Sequence, residues 1–164
     1  MDAALELLGR SGAGSLTVRA TEDGAGLPHG SVRHHFGDRA GMVTALFDHL
    51  AEREGEQVGG ATLTALEHWL GPGRALTLAR YELFLMAARD PTLRPPLIRA
   101  RERFITAAAE RVGATAAPAL VAALDGLLLD ELVRGGHDPN RLRAAVAQIS
   151  GEPAPQSTSA RALR

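Results

Sequence analysis

The stretch LTVRATEDGAGLPHGSVRHHFGDRAGMVTAL, residues 16–46, decides the fold. Its first part predicts a short helix over residues 18–24, because the hydroxyl of Thr17 can accept a backbone N–H that the first helical turn leaves unpaired. Gly26 can adopt the positive φ of the tight turn that follows such a helix. The stretch therefore opens as a capped helix and a turn.

The second part of the stretch predicts another short helix and then the start of a long one. Pro28 suits the first turn of a helix over residues 28–35, where its missing N–H costs nothing. Asp38 can cap a longer helix that begins at Arg39. Two short helices joined by a Gly-containing turn form the outline of a helix-turn-helix, whose second helix can lie in the major groove of DNA.

The same stretch resembles the DNA-binding region of TetR-type transcriptional regulators. The residues that carry the resemblance are LTVR at 16–19, AGL at 25–27, GSV at 30–32, HHF at 34–36 and DRAGM at 38–42. The resemblance implies an all-α fold of about nine helices, with an N-terminal three-helix head and a C-terminal helical bundle that dimerises through its last two long helices. It also implies a homodimeric repressor that binds a double-stranded DNA operator and is released by a small-molecule effector.

Helical periodicity with Gly and Pro punctuation continues along the rest of the chain, and no segment alternates as a strand would. The predicted helices outside the opening stretch cover residues 1–10, 39–58, 61–70, 74–89, 93–112, 118–134 and 139–150. We expect a helix-turn-helix DNA-binding domain over residues 1–49, shortened at its N-terminus because Met1 opens inside a helix. A ligand-binding and dimerisation domain over residues 50–151 and a disordered tail over 152–164 complete the expected organisation.

Composition excludes several classes of protein. The chain has no cysteine, which rules out disulfides, thiolate metal sites and a cysteine nucleophile and fits a cytoplasmic protein. We expect neither a membrane span nor a signal peptide, because no run of 18 apolar residues and no charged-then-apolar leader is present. The net charge is −1, and residues 1–50 carry four arginines against six carboxylates, so electrostatics alone would not indicate DNA binding.

The candidate DNA contacts come partly from side-chain chemistry and partly from the resemblance. Ser31 can bond a base edge or a phosphate, and Arg33 can fork onto guanine or a phosphate; the resemblance implies that Arg39 touches the DNA backbone. The predicted DNA-binding residues are Thr17, Arg19, Pro28, His29, Ser31, Arg33, His34 and Arg39. We expect no metal site and no cofactor, because His34 and His35 are adjacent and point about 100° apart on a helix.

The first helix of the motif departs from the family pattern. It carries Thr21, Glu22, Asp23 and Gly24, and an inward carboxylate costs free energy unless it is paired. This departure predicts a frayed or poorly packed helix. It leaves open an alternative, a dimeric small-molecule-binding or interaction protein whose degenerate head no longer binds DNA strongly.

The body offers a candidate pocket and a candidate dimer interface. The helix predicted over residues 74–89 is apolar nearly all round, which is typical of the centre of a bundle, where aromatic side chains form either a simple core or a pocket wall. The candidate pocket residues are Trp69, Tyr81, Phe84, Met86 and Phe104. Arg80 and Glu82 could fix a polar group of a ligand, although a surface ion pair is the simpler interpretation. By the resemblance, the dimer interface would use Leu120, Leu124, Leu127, Leu128, Leu132, Leu142, Val146 and Ile149.

Nothing in the sequence indicates an enzyme. It lacks a Ser-His-Asp order at motif spacing, a Gly-rich phosphate loop followed by Lys and a metal-ligand pair. Its carboxylates are scattered along helix faces that we expect to be solvated.

Overall fold

The computed structural model describes residues 1–55, 62–135 and 138–150, and every regular element among them is a helix. The helices are α1 Asp2–Ser11, α2 Val18–Ala25, α3 Ser31–Phe36, α4 Arg39–Gly55, α5 Thr62–Leu70, α6 Arg74–Arg89, α7 Arg94–Val112, α8 Ala117–Arg134 and α9 Pro139–Ser150, with a 3-10 turn at Pro91–Leu93 before α7. The predicted all-α fold is confirmed.

The head, formed by α1 to α3 and the first half of α4, closes around one apolar core. Leu5 and Leu8 of α1 meet Leu16, Val32 of α3 and Met42 of α4, and all five side chains are buried. The same core continues into the body, since its buried members include Ala79, Leu83 and Ala87 of α6. Head and body therefore share one core.

A second apolar core lies at the far end of the body, between α5, α8 and α9. Its buried members are Ala65, Leu66, Trp69, Leu70, Leu128, Leu132, Leu142 and Val146. The buried carboxylate of Glu131 on α8 pairs with Arg141 of α9 and links the last two helices.

Most predicted helix ends agree with the observed ones to within one residue, but the start of α3 does not. The helix begins at Ser31 and not at Pro28, because Gly30 has a φ of 96° and stands as the residue before the first turn. The predicted end of α4 near residue 58, the first residue of the helix over 61–70 and the tail over 152–164 lie outside the described residues.

Within the described residues no single helix is both long enough and apolar enough to span a membrane, although Pro91–Val112 and Ala117–Arg134, bent by 112° from each other, meet those criteria as a pair.

Candidate functional site

Helix α2 is a complete, capped helix. The Thr17 hydroxyl accepts the N–H of Ala20 at 3.1 Å, as predicted. At the other end Gly26 adopts a left-handed φ of 65° and its N–H bonds to the carbonyl of Asp23. The expectation of a frayed helix is therefore wrong.

Glu22 explains how α2 tolerates a carboxylate on its inward face. Its side chain is only 3% exposed, and its Oε1 accepts the N–H of Gly30 at 3.0 Å and the N–H of Val32 at 2.9 Å. These two N–H groups belong to the start of α3, which has no side-chain cap of its own. Glu22 is thus the cap of α3, supplied from the preceding helix, and the desolvation of its carboxylate is offset by two charge-assisted hydrogen bonds.

Helix α3 presents a row of basic side chains to solvent. Arg33, His34 and His35 are exposed, whereas Val32 is buried against the head core and Phe36 is half-buried. A short helix anchored on one apolar face, with an arginine and two imidazole side chains on the other, has the polarity that contact with phosphates and base edges requires.

The remaining predicted DNA contacts are held by other groups of the head. Ser31 Oγ donates to the carbonyl of Pro28 at 2.6 Å, and His29 Nε2 lies 2.9 Å from Asp23 Oδ1. Arg19 Nε is 3.8 Å from the other carboxylate oxygen of Asp23. The acidic Asp23 therefore neutralises part of this surface.

Arg39 has a structural role that the sequence did not indicate. Its Nε donates to the carbonyl of Leu16 at 2.8 Å and its Nη2 to the carbonyl of Ala13 at 3.4 Å. The side chain thereby fastens the loop before α2 to the first turn of α4. Asp38 caps that turn as predicted, because its Oδ1 accepts the N–H of Gly41 at 2.9 Å.

A cavity opens in the body between α4, α5, α6, α7 and α8. Its empty space, including the part that is open to solvent, is about 950 Å³. Its wall includes Phe47, Leu50, Ala51, Glu54, Thr62, Ala65, Trp69, Arg80, Phe84, Arg101, Phe104, Arg111, Leu120, Leu124 and Asp125. A largely apolar cavity with a few polar groups is typical of a small-molecule site.

Three of the five predicted pocket residues line this cavity: Trp69, Phe84 and Phe104. The other two are turned away from it. Tyr81 donates its hydroxyl to the carbonyl of Asp125 at 2.6 Å, and Met86 packs against the head core. Helix α6 is apolar nearly all round, so apolar character alone could not tell which of its faces meets the cavity.

Arg80 and Glu82 are not the surface ion pair that was the simpler expectation. Arg80 is 5% exposed, faces the cavity and lies 3.1 Å from Glu54 Oε1 and 3.9 Å from Asp125 Oδ1. Arg101 completes the group, with its Nη1 2.6 Å from the second oxygen of Asp125. Glu82 instead accepts the N–H of Ala13 at 3.3 Å and ties the body to the head.

Burial controls the ionisation of Glu54. Loss of solvent raises the pKa of Glu54 to about 7; Arg80 opposes the rise and Asp125 adds to it. The Arg80 guanidinium also lies 5.3 Å from the ring centre of Trp69, and Arg101 lies 5.1 Å from that of Phe84. The arginines are therefore held over aromatic faces of the cavity wall.

The predicted dimer residues are distributed over three environments within the single chain. Leu128, Leu132, Leu142 and Val146 are buried in the second core. Leu120 and Leu124 line the cavity, Leu127 packs beside the second core, and Ile149 is half-buried.

The exposed apolar stripe of α8 is formed by residues other than those predicted for the dimer interface. The stripe consists of the exposed residues Ala122, Gly126, Leu129 and Val133, spaced three or four residues apart; Leu129 is 46% exposed and Val133 78%. Both faces of α8 are apolar in sequence, so the pattern could not say which face turns inward.

Two family models together match residues 1–152. Residues 1–46 match the model described as bacterial regulatory proteins, tetR family, and residues 37–152 match the model described as tetracyclin repressor-like, C-terminal domain. No significant match is found among curated proteins.

Solved structures agree with the family models. A TetR-family member from Streptomyces coelicolor A3 is 29% identical with a TM-score of 0.76, covering 90% of this chain and 94% of its own. The multidrug-binding protein EbrR in complex with ethidium is also 29% identical, with a TM-score of 0.74 and the same two coverages. A transcriptional regulator from Rhodococcus sp. Rha1 is 22% identical, covers 92% of this chain and 91% of its own with a TM-score of 0.74, and shares the fold.

The capped helix-turn-helix and the cavity-bearing helical body thus coincide with the two parts that the family models match, and the chain belongs to the TetR family of bacterial transcriptional regulators.

Proposed function

We propose that this regulator is a homodimeric repressor that binds its operator through α2 and α3 and leaves it when a small molecule occupies the cavity. The observation that carries the proposal is the course of α4. Its first turn, capped by Asp38, follows α3 directly, and its Phe47, Leu50 and Glu54 line the cavity. One continuous helix therefore joins the DNA-binding surface to the ligand site.

DNA recognition is assigned to the exposed face of α3. Arg33 and His34 lie on that face, and Arg33 has the planar donor fork that can pair with guanine or phosphate. Ser31 stands at the helix start with its hydroxyl turned to Pro28 and can change partner when DNA approaches. Thr17, Arg19, Pro28, His29 and Arg39 form the predicted rim of backbone contacts around this centre.

Dimerisation is assigned to α8 and α9 of the domain expected over residues 50–151. The exposed stripe from Ala122 to Val133 gives α8 an apolar face that the described part of the chain leaves uncovered. Two heads related by a two-fold axis would then read half-sites about one helical turn, roughly 34 Å, apart.

The effector is assigned to the cavity. EbrR, a relative of 29% identity, has been solved with proflavin, malachite green and ethidium, which supports a site for small organic molecules in this fold. A ligand that fits the cavity better at one position of α4 than at another favours that position in the population. Because α4 carries the head, the distance between the two heads of the dimer changes with it, and only one such distance fits the operator.

The test is fluorescence anisotropy of the full chain with labelled DNA from its neighbouring promoter and with random-sequence DNA, across a salt series. A sequence-specific repressor gives tight binding to one promoter and a log–log salt slope of several units. We expect Arg33→Ala to weaken binding by roughly tenfold to a hundredfold, and Arg10→Ala, on the exposed face of α1, to leave it unchanged. If the anisotropy does not rise with any promoter at low salt, the proposal is contradicted. That result would favour the alternative, a dimeric small-molecule-binding or interaction protein whose degenerate head no longer binds DNA strongly.

A further inference from the structure

The charged groups of the cavity meet in one cluster. This cluster, the cavity quartet, consists of Glu54, Arg80, Arg101 and Asp125 and holds two arginines and two carboxylates. Glu54 and Asp125 are the carboxylates that face Arg80 and Arg101, and the quartet is neutral when both carboxylates are ionised.

Three buried hydrogen-bond donors of the cavity wall lack an acceptor in the described part of the chain. Arg80 Nε and Nη2 and Trp69 Nε1 are buried, and none of them has a hydrogen-bond acceptor among the described residues. Glu54 reaches Arg80 within ion-pair distance, at 3.1 Å, but outside hydrogen-bond geometry. Buried N–H groups of this kind cost free energy until an acceptor reaches them.

Charge balance decides which kind of ligand fits. With both carboxylates ionised the quartet is neutral, so it cannot offset a bound cation: its carboxylates have no proton left to lose, and its arginines keep theirs. A bound anion can be offset in two ways: it pairs with Arg80 directly, and Glu54 can become neutral by taking up a proton. In a site with low dielectric constant the compensated arrangement is strongly favoured.

We propose that the cavity binds an apolar organic anion whose carboxylate pairs with Arg80, and that Glu54 gives up its ion pair with Arg80 and takes up one proton as the ligand enters. The proposal rests on the assignment of the cavity as the effector site and names the class of effector. Phe84, Phe104 and Trp69 would surround the apolar part of the ligand.

The surroundings of Glu54 favour proton uptake. Helix α6 contributes Arg80, whose charge lowers the pKa of Glu54, and α8 contributes Asp125, whose charge raises it. Among the described residues, the other titratable or charged groups around Glu54 are Arg101 and Arg111 on α7 and Tyr81 on α6, while the described lining residues of α5 carry no charge. Burial already raises the pKa of Glu54 to about 7, and sharing Arg80 with a ligand carboxylate raises it further.

The test uses three probes of one shape: 2-naphthoate, the neutral 2-naphthamide and the cationic 2-naphthylmethylammonium. Their binding to the full chain is measured by calorimetry at pH 6 and pH 8, each in two buffers with different heats of ionisation, which gives the number of protons exchanged. We expect naphthoate to bind tightest, with uptake of about one proton at pH 8 and nearly none at pH 6, because Glu54 is ionised at the first pH and protonated at the second. Its affinity should fall by up to about tenfold per pH unit above pH 7.

Two variants separate the roles within the quartet. Glu54→Gln imitates the protonated carboxyl, so it should bind naphthoate at least as tightly as the parent at pH 8 with no proton uptake. Arg80→Gln should weaken naphthoate binding by roughly tenfold to a hundredfold and affect naphthamide little. The matched controls are Glu110→Gln and Arg99→Gln, which change exposed residues of α7 outside the cavity wall and should alter neither affinity nor proton uptake.

Several outcomes would overturn the proposal. Tightest binding of the ammonium probe, binding of naphthoate by the parent protein at pH 8 without proton uptake, or failure of all three probes to bind would each exclude it. The parent measurements need no variant, so a variant that does not fold leaves the test intact. All titrations are done without DNA, so they carry no information on operator binding, which the anisotropy series decides separately.

Discussion

At the scale of single residues, Glu22 decides whether the DNA-binding head is ordered. Its carboxylate holds the first two free N–H groups of α3 and is itself buried. We expect Glu22→Ala to lower the free energy of unfolding by about 3 kcal/mol, because it leaves two N–H groups without an acceptor, and to weaken operator binding with it. Glu22→Gln keeps an acceptor oxygen and should lose less. Urea unfolding followed by circular dichroism measures both.

The control for Glu22 is Glu6→Ala in α1, whose carboxylate makes an exposed ion pair with Arg10 at 2.6 Å. Such pairs contribute little, so the change should stay within about 0.5 kcal/mol. If Glu22→Ala is as mild as the control, Glu22 is not the cap of α3. That result would instead support the prediction made from the sequence, that the carboxylate of Glu22 packs poorly in α2.

Glu54 makes the stability of the protein depend on pH. Its folded pKa of about 7 lies above the ordinary value of 4.5, so the folded state binds a proton more tightly than the unfolded state. The corresponding stability is fully present below pH 4.5 and is lost as the pH rises through 7, by about 3 kcal/mol in all. Glu54→Gln should therefore gain stability relative to the parent as the pH rises from 5 to 8, measured by urea unfolding at each pH. The control Glu110→Gln should have the same free energy of unfolding as the parent at every pH. If the difference in free energy between Glu54→Gln and the parent does not change with pH, the raised pKa of Glu54 is contradicted.

At the scale of helices, features set by neighbours in sequence could be predicted and features set by distant contacts could not. The caps Thr17 and Asp38 and the bounds of α6 and α9 follow from side chains and turn residues within a few positions. The pairing of Glu22 with Gly30 and the inward face of Arg80 depend on packing between helices. The sequence did contain one local signal for the cap. Gly30 precedes α3 and offers no capping side chain, so the nearby carboxylate of Glu22 is a candidate acceptor for the free N–H groups of that helix.

A substitution on the exposed apolar stripe of α8 tests the proposed dimer. Leu129 and Val133 are exposed on the stripe that the residues of the structure described above leave uncovered, and an apolar face of this kind is normally covered by a partner. We expect Leu129→Glu to convert the dimer to a monomer, because it places a charge in the middle of an apolar interface. Light scattering after size-exclusion chromatography reports the mass, and anisotropy should show the loss of operator binding.

Ile98→Glu is the matched control for α8, since Ile98 is 54% exposed on α7. It introduces the same charge at another exposed apolar position and should leave the mass unchanged. A monomeric parent protein would contradict the dimer itself, whereas a Leu129→Glu variant that remains dimeric would place the interface outside this stripe.

At the scale of the whole molecule, the head is fixed to the body by the close packing of α1 on α6. Gly9 of α1 lies so near the backbone of Ala75 that a Cβ atom there would come within 1.9 Å of the carbonyl oxygen. The Glu82 carboxylate adds a hydrogen bond to Ala13 across the same junction. Because α4 also runs from head to cavity, this junction determines how freely the head follows a change in the cavity.

Gly9→Ala tests that junction against Gly24→Ala, a second glycine inside a helix. The added methyl at Gly9 must push α1 away from α6, so we expect a loss of about 1–3 kcal/mol in the free energy of unfolding. At Gly24 the nearest atom is 3.8 Å from the new Cβ, which is ordinary contact, so the same change should stabilise α2 by about 0.5–1 kcal/mol. If urea unfolding shows that Gly9→Ala lowers the free energy of unfolding and Gly24→Ala raises it, α1 and α6 are closely packed in solution. Changes of the same sign in the two variants would contradict this packing. If the variant at Gly9 still binds its operator but no longer releases it with ligand, the α1–α6 contact carries the coupling; unchanged release would assign the coupling to α4 alone.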